Sequence, residues 1–213
     1  MEVSKSRKGI GISQRKYVLD LLTETGMLGC KLSDTPIKAR KRTKSDGKPV
    51  DKERYQRLVG RLIYLSYTRP DIAFSVSMVS QHMHSLKESH LDAVYKILRY
   101  LKGYLGRGLF FKKGDSKKVE IYMNVDWTGS TKDRKSTTDY CTYVWGNLVT
   151  WRSKKQSVVA RSSVEAEFRA VAQGMCEGLW LQKLLEELHI TVELLIKLYC
   201  NNKALISISH NPV

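Results

Sequence analysis

The segment at residues 154–170 constrains the fold more than any other, because it combines a strand signal with a strong helix start. Residues 158–161 begin with two β-branched valines, which is typical of a strand. A serine hydroxyl at 162–163 can then accept from the unpaired N–H groups of a helix's first turn. Glu165 and Glu167 follow in that turn, where the helix dipole favours negative charge. The segment therefore predicts a strand that leads directly into a capped helix.

The two glutamates allow two interpretations. A carboxylate just beyond a strand is a natural position for a divalent cation, since hard cations prefer charged oxygen ligands. From these residues alone, solvated glutamates on an amphipathic helix are the simpler interpretation. The metal-site interpretation requires other metal-binding groups nearby, whereas the solvated-glutamate interpretation does not.

Periodicity predicts that the second half of the chain alternates strands and helices. Residues 109–113 and 118–127 are expected to form an antiparallel pair around the Gly114-Asp115 turn. Further strands are predicted at 140–145, 147–151, 158–161 and 194–200, with helices at 163–188 and from 202 onward. This order of elements indicates an α/β fold.

The first half is predicted to be mostly helical and is strongly basic. After a short hairpin in 1–12, helices are expected at 13–28, 51–67, 71–84 and 89–103, with Ser13 capping the first. Residues 1–118 hold 26 Lys and Arg against 11 Asp and Glu, or +15 of the total charge of +16. A one-sided excess of this size points to a polyanionic partner, with nucleic acid as the leading candidate.

Four motifs in the second half form a recognisable set. They lie at residues 124–129, 134–140, 162–168 and 199–204. In order and spacing they resemble the stretches D-A-D-W-A-G, R-x-S-T-S-G-Y, S-S-x-E-A-E-Y and Y-C-D-N-x-x-A of the RNase H domain in plant copia-type LTR retrotransposon Pol polyproteins. The resemblance implies an RNase H-like mixed sheet with helices, so that the whole chain is α/β (α+β overall).

The resemblance extends into the basic half. Residues 13–17, 55–65 and 68–72 are similar to the segments that follow the reverse-transcriptase palm in this family. It implies two domains: a basic, mostly helical thumb- or connection-like module at 1–106, and an RNase H-like domain at 107–213 that is truncated at its C-terminus. No Tyr-x-Asp-Asp occurs in the sequence, which argues against polymerase chemistry.

The family's catalytic acids are mostly replaced. RNase H chemistry needs carboxylates that hold two Mg²⁺ ions. The resemblance assigns the first three acid positions to Asn124, Glu167 and Asn201. Only Glu167 keeps a carboxylate, and it is a weak metal ligand. The fourth acid is expected beyond His210-Asn211-Pro212-Val213. Asp126 is a possible substitute, two residues along the strand from Asn124 and so about 7 Å away. The expectation is a catalytically inactive domain with no cofactor, and Mg²⁺ only if some nuclease activity persists.

Three functions follow from these residues. The first is a remnant of a copia-type Pol polyprotein that binds RNA–DNA hybrid or duplex. The alternative is an interaction or effector-like protein that acts on a host protein, and the second alternative is a weakly active Mg²⁺-dependent RNase H using Glu167, Asp126 and Glu165. The candidate nucleic-acid contacts are Arg40, Arg42, Arg54, Arg57, Arg61, Lys154, Lys155 and Arg161.

The sequence also bears on location. The first residues lack the apolar core of a secretory signal peptide, and no run is apolar enough to span a membrane. Four widely spaced cysteines are typical of reduced thiols. The expected location is cytoplasmic or nuclear, and neither a membrane nor a small-molecule substrate is expected as a partner.

Overall fold

The computed structural model describes residues 1–37, 51–83, 86–114, 116–129, 133–190 and 196–210. Within these ranges it contains six helices and two sheets, of three and four strands. The α/β fold class predicted from the sequence is confirmed. Contacts between residues divide the chain into two compact units, Met1–Phe110 and Phe111–Val213.

The first unit begins with the predicted hairpin. Strands β1 (Glu2–Ser6) and β2 (Gly9–Ser13) pair antiparallel, and β3 (Gly108–Lys112) joins them in the order β1-β2-β3. The backbone of Gly108 lies so close to the Ile12 carbonyl that a Cβ atom would clash with it. The prediction that residues 109–113 pair with 118–127 is therefore wrong, because β3 completes the first sheet instead.

Four helices form the core of the first unit: α1 (Arg15–Glu24), α2 (Lys52–Ser66), α3 (Pro70–Ser80) and α4 (Glu88–Gly103). Helix α2 starts at Asp51, whose carboxylate accepts from the N–H groups of Glu53 and Arg54 at 3.0 and 3.1 Å. The predicted Ser13 cap is wrong; Gln14 occupies the N-cap of α1, and the Ser13 hydroxyl donates to Glu2 instead. Fully buried side chains fill the space between the helices, among them Leu21, Leu22, Tyr55, Leu62, Ile72, Leu98 and Leu101.

A buried ionic network ties the start of α3 to the end of α4. Arg69 is 1% exposed, and its guanidinium donates to both carboxylate oxygens of Asp71 at 2.9 and 2.8 Å and to the Tyr104 carbonyl at 2.9 Å. The Tyr100 hydroxyl donates to Asp71 at 2.8 Å and accepts from Arg107 at 2.9 Å. The bonds from Arg69 to Tyr104 and from Tyr100 to Asp71 thus join the start of α3 to the end of α4.

The second unit is built on a mixed sheet. Its strands are β4 (Val119–Asp126), β5 (Thr137–Val144), β6 (Asn147–Lys155) and β7 (Ile196–Tyr199), in the order β6-β5-β4-β7. Strand β4 pairs antiparallel with β5 and parallel with β7, so both of its edges are used. This is why β4 has no edge left for β3.

Helix α5 (Ser163–Glu187) lies on one face of this sheet, and α6 (Lys203–His210) follows β7. A Cβ atom at Gly174 would clash with the Met123 sulfur, so glycine lets the helix approach β4 closely. Because side chains alternate along a strand, Tyr122, Asn124 and Asp126 point to the opposite face from Met123.

The stretch between β6 and α5 is not a strand, so the prediction for residues 158–161 is wrong. Val158 and Val159 are 42% and 49% exposed despite their β-branched side chains. Strand β6 ends at Lys155, and the next residue, Gln156, turns its buried amide inward to donate to Thr138 and to the Ala166 carbonyl. These two hydrogen bonds anchor the connection to the sheet and the helix without strand pairing.

Candidate functional site

Two asparagines meet at the carboxyl ends of β4 and β7. These strands are parallel neighbours, with Tyr122 opposite Tyr199. Asn124 and Asn201 each lie two residues further on, and the Asn201 side-chain amide donates to the Asn124 side-chain oxygen at 3.1 Å. The structure therefore brings together two of the three predicted site positions through an amide–amide hydrogen bond.

Glu167 lies near the start of α5, the helix that packs on the face of the sheet opposite to the Asn124 side chain. Its side chain is only 7% exposed. Burial raises the pKa of the Glu167 carboxyl, although a hydrogen bond with the Asn202 side chain acts in the opposite direction. Asn202 also uses its side-chain oxygen to accept from the Leu205 N–H at 3.1 Å at the start of α6. Glu167 is thus connected to the segment that carries Asn201.

Glu165 serves the helix cap. The Ser162 hydroxyl accepts from the Glu165 N–H at 3.1 Å, and the Glu165 carboxylate accepts at 2.8 Å from the N–H of Arg161, the residue before the N-cap. The arrangement is similar to a capping box, in which the carboxylate accepts from the N-cap N–H. The hydrogen bond from the Arg161 backbone is the main reason that the pKa of Glu165 is lowered, with a further contribution from Arg169. The predicted serine cap is confirmed at Ser162.

Sequence reasoning missed Asp139 on β5. It lies directly opposite Asn124 in the β4–β5 register, and therefore on the same face of the sheet. Burial raises the pKa of the Asp139 carboxyl; a hydrogen bond from Ser153 opposes this, and the nearby Asp126 carboxylate adds to it. A signal was present in the sequence, since Asp139 stands where the family pattern R-x-S-T-S-G-Y has glycine.

Asp139→Asn is expected to stabilise the second unit at neutral pH by about 1 kcal/mol, because it removes an incompletely compensated buried charge. The raised pKa of Asp139 means that its contribution to stability is full below its unfolded pKa of about 3.9 and is lost as the pH rises through the folded value. Urea unfolding followed by tryptophan fluorescence measures this, since Trp127, Trp145, Trp151 and Trp180 all lie in this unit. The free energies of unfolding of the unmodified protein and of Asp139→Asn should become equal near pH 3. An equal difference at all pH values would contradict the raised pKa of Asp139.

The side chains at these positions do not fit a pair of Mg²⁺ ions. Magnesium prefers charged oxygen ligands, and two of the three predicted positions carry neutral amides. Across the described ranges, no three His, Cys, Asp or Glu side chains form a group that could hold a metal ion. Asp126, the predicted substitute ligand, lies two residues beyond Asn124 on the same exposed face of β4.

The predicted basic contacts differ in their availability. Arg54 and Arg57 are exposed on α2, whereas Arg61 forms an ion pair with Glu24 and lies 5.8 Å from the centre of the Tyr17 ring. Three predicted contacts lie in the second unit. Lys154 and Arg161 are exposed, whereas the Lys155 Nζ forms an ion pair with the Asp133 carboxylate at 3.0 Å. Arg40 and Arg42 lie outside the described residues.

Comparison with known proteins identifies relatives along the whole chain. It is 40% identical over 215 residues to the retrovirus-related Pol polyprotein from transposon RE1 of Arabidopsis thaliana, covering 100% of this chain and 15% of that protein. An uncharacterized mitochondrial protein of the same plant is 36% identical over 181 residues, which cover 84% of this chain and 75% of that protein. The secreted RxLR effector protein 161 of Plasmopara viticola is 38% identical over 128 residues, 60% of this chain and 90% of the effector.

Two further comparisons gave nothing: no family model and no solved structure matches the chain. Among the helices that the structure describes, none combines the length and apolar composition needed to cross a bilayer. The chain spans only 15% of the RE1 polyprotein. The similarity to three transposon polyproteins nevertheless extends over 98–100% of this chain. The chain belongs to the family of retrovirus-related, copia-type Pol polyproteins of transposons.

Proposed function

We propose that this protein is a Pol-derived nucleic-acid-binding protein whose second unit is an RNase H-like domain without nuclease activity. The observation that carries the proposal is the hydrogen bond between Asn201 and Asn124, at two positions where the family pattern has acids. The expected ligands are RNA–DNA hybrid and duplex nucleic acid.

The topology of the second unit supports the RNase H-like assignment. Three antiparallel strands, β4, β5 and β6, are followed by helix α5 and then by β7, which returns parallel to β4. This is the order of strands and helices that the sequence resemblance implies. The motif positions fall at the ends of β4 and β7 and at the start of α5, on three elements that adjoin one another.

The chemistry of the site supports the loss of activity. Two carboxylates at 124 and 201 would repel each other and would attract a dication between them. Two amides instead satisfy each other as donor and acceptor, with no net charge. Glu167 is the one carboxylate left at the three positions, and a single carboxylate offsets only one of the four positive charges of two Mg²⁺ ions. If Mg²⁺ were bound, its chemistry would be to activate water and stabilise the leaving oxygen.

Charge and exposure support nucleic-acid binding. The net charge of +16 is concentrated in residues 1–118, and Arg54 and Arg57 lie one turn apart on the exposed side of α2. Arginines at this spacing can contact successive phosphates, and each contact releases condensed counterions. The affinity should therefore fall steeply with salt.

Arg54→Ala/Arg57→Ala is expected to weaken binding of a labelled RNA–DNA hybrid and to reduce the slope of log K against log salt by about 2. Fluorescence anisotropy between 50 and 300 mM salt measures both quantities. Arg7→Ala/Lys8→Ala removes the same charge from the exposed hairpin of β1 and β2 and provides the matched control. An unmodified protein with a flat salt response, or two double variants with the same slope, would contradict the proposal.

One observation favours a second candidate function. The secreted RxLR effector protein 161 is matched over 90% of its own length. An effector-like role, in which this chain acts on a host protein, would use the same fold without nucleic acid. The salt titration separates the two, because this role predicts no binding of hybrid or duplex even at 50 mM salt.

A further inference from the structure

Three tyrosines form a continuous aromatic ladder across the second unit's sheet. The rings of Tyr122 on β4 and Tyr199 on β7 are stacked, with centroids 4.7 Å apart and planes inclined by 11°. Tyr143 on β5 meets Tyr122 edge to face at 5.7 Å. Helix α5 packs against the opposite face of the sheet, on Met123, and the ladder is therefore on the face that α5 leaves open.

The ladder is accessible and is held in place. Tyr122 and Tyr199 are 40% and 38% exposed. The Tyr199 hydroxyl donates to the Glu120 carboxylate at 3.2 Å, which fixes the orientation of that ring. Because β7 is the last strand of the sheet in the order β6-β5-β4-β7, the Tyr199 ring face turned away from Tyr122 points towards the edge of the sheet. A flat aromatic ligand can extend the stack there.

The surrounding charges favour an anionic ligand at this end of the sheet. Lys197 is exposed on β7, two residues before Tyr199 and therefore on the same face. Lys117 and Lys118 are exposed immediately before β4. Acidic side chains also lie on this face. Glu120 is at this end, where it accepts from the Tyr199 hydroxyl and lies opposite Lys197 in the β4–β7 register. Asp139, opposite Asn124, and Asp126, about 13 Å along the strand from Tyr122, lie towards the other end, away from Lys117 and Lys118.

We infer that the Tyr122–Tyr199 ladder binds single-stranded nucleic acid, with one base stacked on Tyr199 and the adjoining phosphates near Lys197 and Lys117–Lys118. An aromatic ring beside lysines matches the alternation of base and phosphate along an unpaired strand. A base inside a duplex cannot reach the ring face, so this site selects unpaired bases. The inference rests on the proposed nucleic-acid binding and adds a second, single-strand-specific surface to it.

Tyr199→Ala is expected to weaken binding of a fluorescein-labelled 12-nucleotide oligo(dT) by about 5- to 150-fold, because stacking contributes about 1–3 kcal/mol per base. Tyr199→Phe keeps the ring and should stay within about twofold of the unmodified protein. Tyr67→Ala, a 67% exposed tyrosine of the first unit, is the matched control and should have no effect. Binding of a blunt duplex should be unchanged in all three variants.

The outcomes separate this inference from the proposed function. If the protein binds duplex but not oligo(dT), or if Tyr199→Ala binds oligo(dT) as tightly as the unmodified protein, the single-strand site is wrong and duplex binding stands. If Tyr199→Phe loses as much as Tyr199→Ala, the ring is not the contact. If neither ligand binds, both proposals fail.

A second measurement does not depend on a folded variant. Oligo(dT) with one central 2-aminopurine should show a change in 2-aminopurine fluorescence on binding to the unmodified protein, since stacking on an aromatic ring alters its emission. Unchanged emission at saturating protein would overturn the stacking mode.

Discussion

Asp71→Asn is expected to lower the free energy of unfolding of residues 1–110 by about 3–5 kcal/mol, the usual result of removing one partner of a buried ion pair. Arg69 is 1% exposed and cannot lose its proton, so the variant leaves a buried cation without its carboxylate. The amide is nearly the same shape as the carboxylate, and the effect therefore measures charge rather than packing.

The pH dependence provides an independent check. Burial alone would raise the pKa of Asp71, but hydrogen bonds and attraction from Arg69 outweigh it and hold the pKa below its ordinary value. A lowered folded pKa means that the stabilisation is present above the unfolded value of about 3.9 and is lost as the pH falls through the folded value. The unmodified protein should lose stability at acid pH more steeply than Asp71→Asn.

Hydrogen exchange of peptides from α3 and α4 measures this effect locally, because it reports opening of the first unit alone. Asp20→Asn removes an exposed carboxylate from α1 and should change stability by less than about 0.5 kcal/mol. If exchange in α3 and α4 responds equally to the two substitutions, the Arg69–Asp71 pair is not a buried ionic anchor.

The unmodified protein is expected to leave a labelled RNA–DNA hybrid intact in both Mg²⁺ and Mn²⁺. Its melting temperature should also be insensitive to millimolar Mg²⁺. Asn124→Asp/Asn201→Asp should behave differently. Without divalent cation this double variant should be less stable than the unmodified protein. Two carboxylates then repel each other where Asn201 donates to Asn124 over 3.1 Å in the unmodified protein. With Mg²⁺ it should regain stability, by about 2.7 kcal/mol when the cation is at 100 times its dissociation constant.

Thermal unfolding with and without Mg²⁺ tests this apart from any cleavage assay. Gln173→Glu adds a carboxylate on the exposed side of α5, away from the asparagine pair, and should show no Mg²⁺ effect. Cleavage of the hybrid by the unmodified protein would overturn the proposed loss of activity, and Asp139 and Asp126 would be the first carboxylates to replace. A double variant without any Mg²⁺ response would show that these positions do not form a cation site.

Much of the secondary structure could be predicted because its signals are local. Helix α2 begins where the helix over 51–67 was predicted and buries Tyr55, Leu58, Val59, Leu62 and Leu65 at helical spacing. The start of α5 was likewise predicted from Ser162. The Asn124 and Asn201 positions of the candidate site were also visible, since they depend on short motifs rather than on distant contacts.

Strand pairing and long-range contacts could not be predicted in this way. Strand β3 is adjacent in sequence to β4 but pairs with β2, because β5 and β7 already occupy both edges of β4. The valines at 158 and 159 favour a strand, yet hydrogen bonds from Gln156 hold the chain in a non-strand connection. In both cases tertiary contacts outweigh local preference.

By itself, the sequence determined the α/β class, the position of most helices, the uneven distribution of charge and the presence of asparagine at positions 124 and 201. Only the tertiary structure decided that the two asparagines bond to each other, that Asp139 faces Asn124, and that Tyr122 and Tyr199 stack. The physical reason is register: which side chains meet across a sheet depends on how strands far apart in the chain align, and a shift of one residue would turn every one of these groups to the other face.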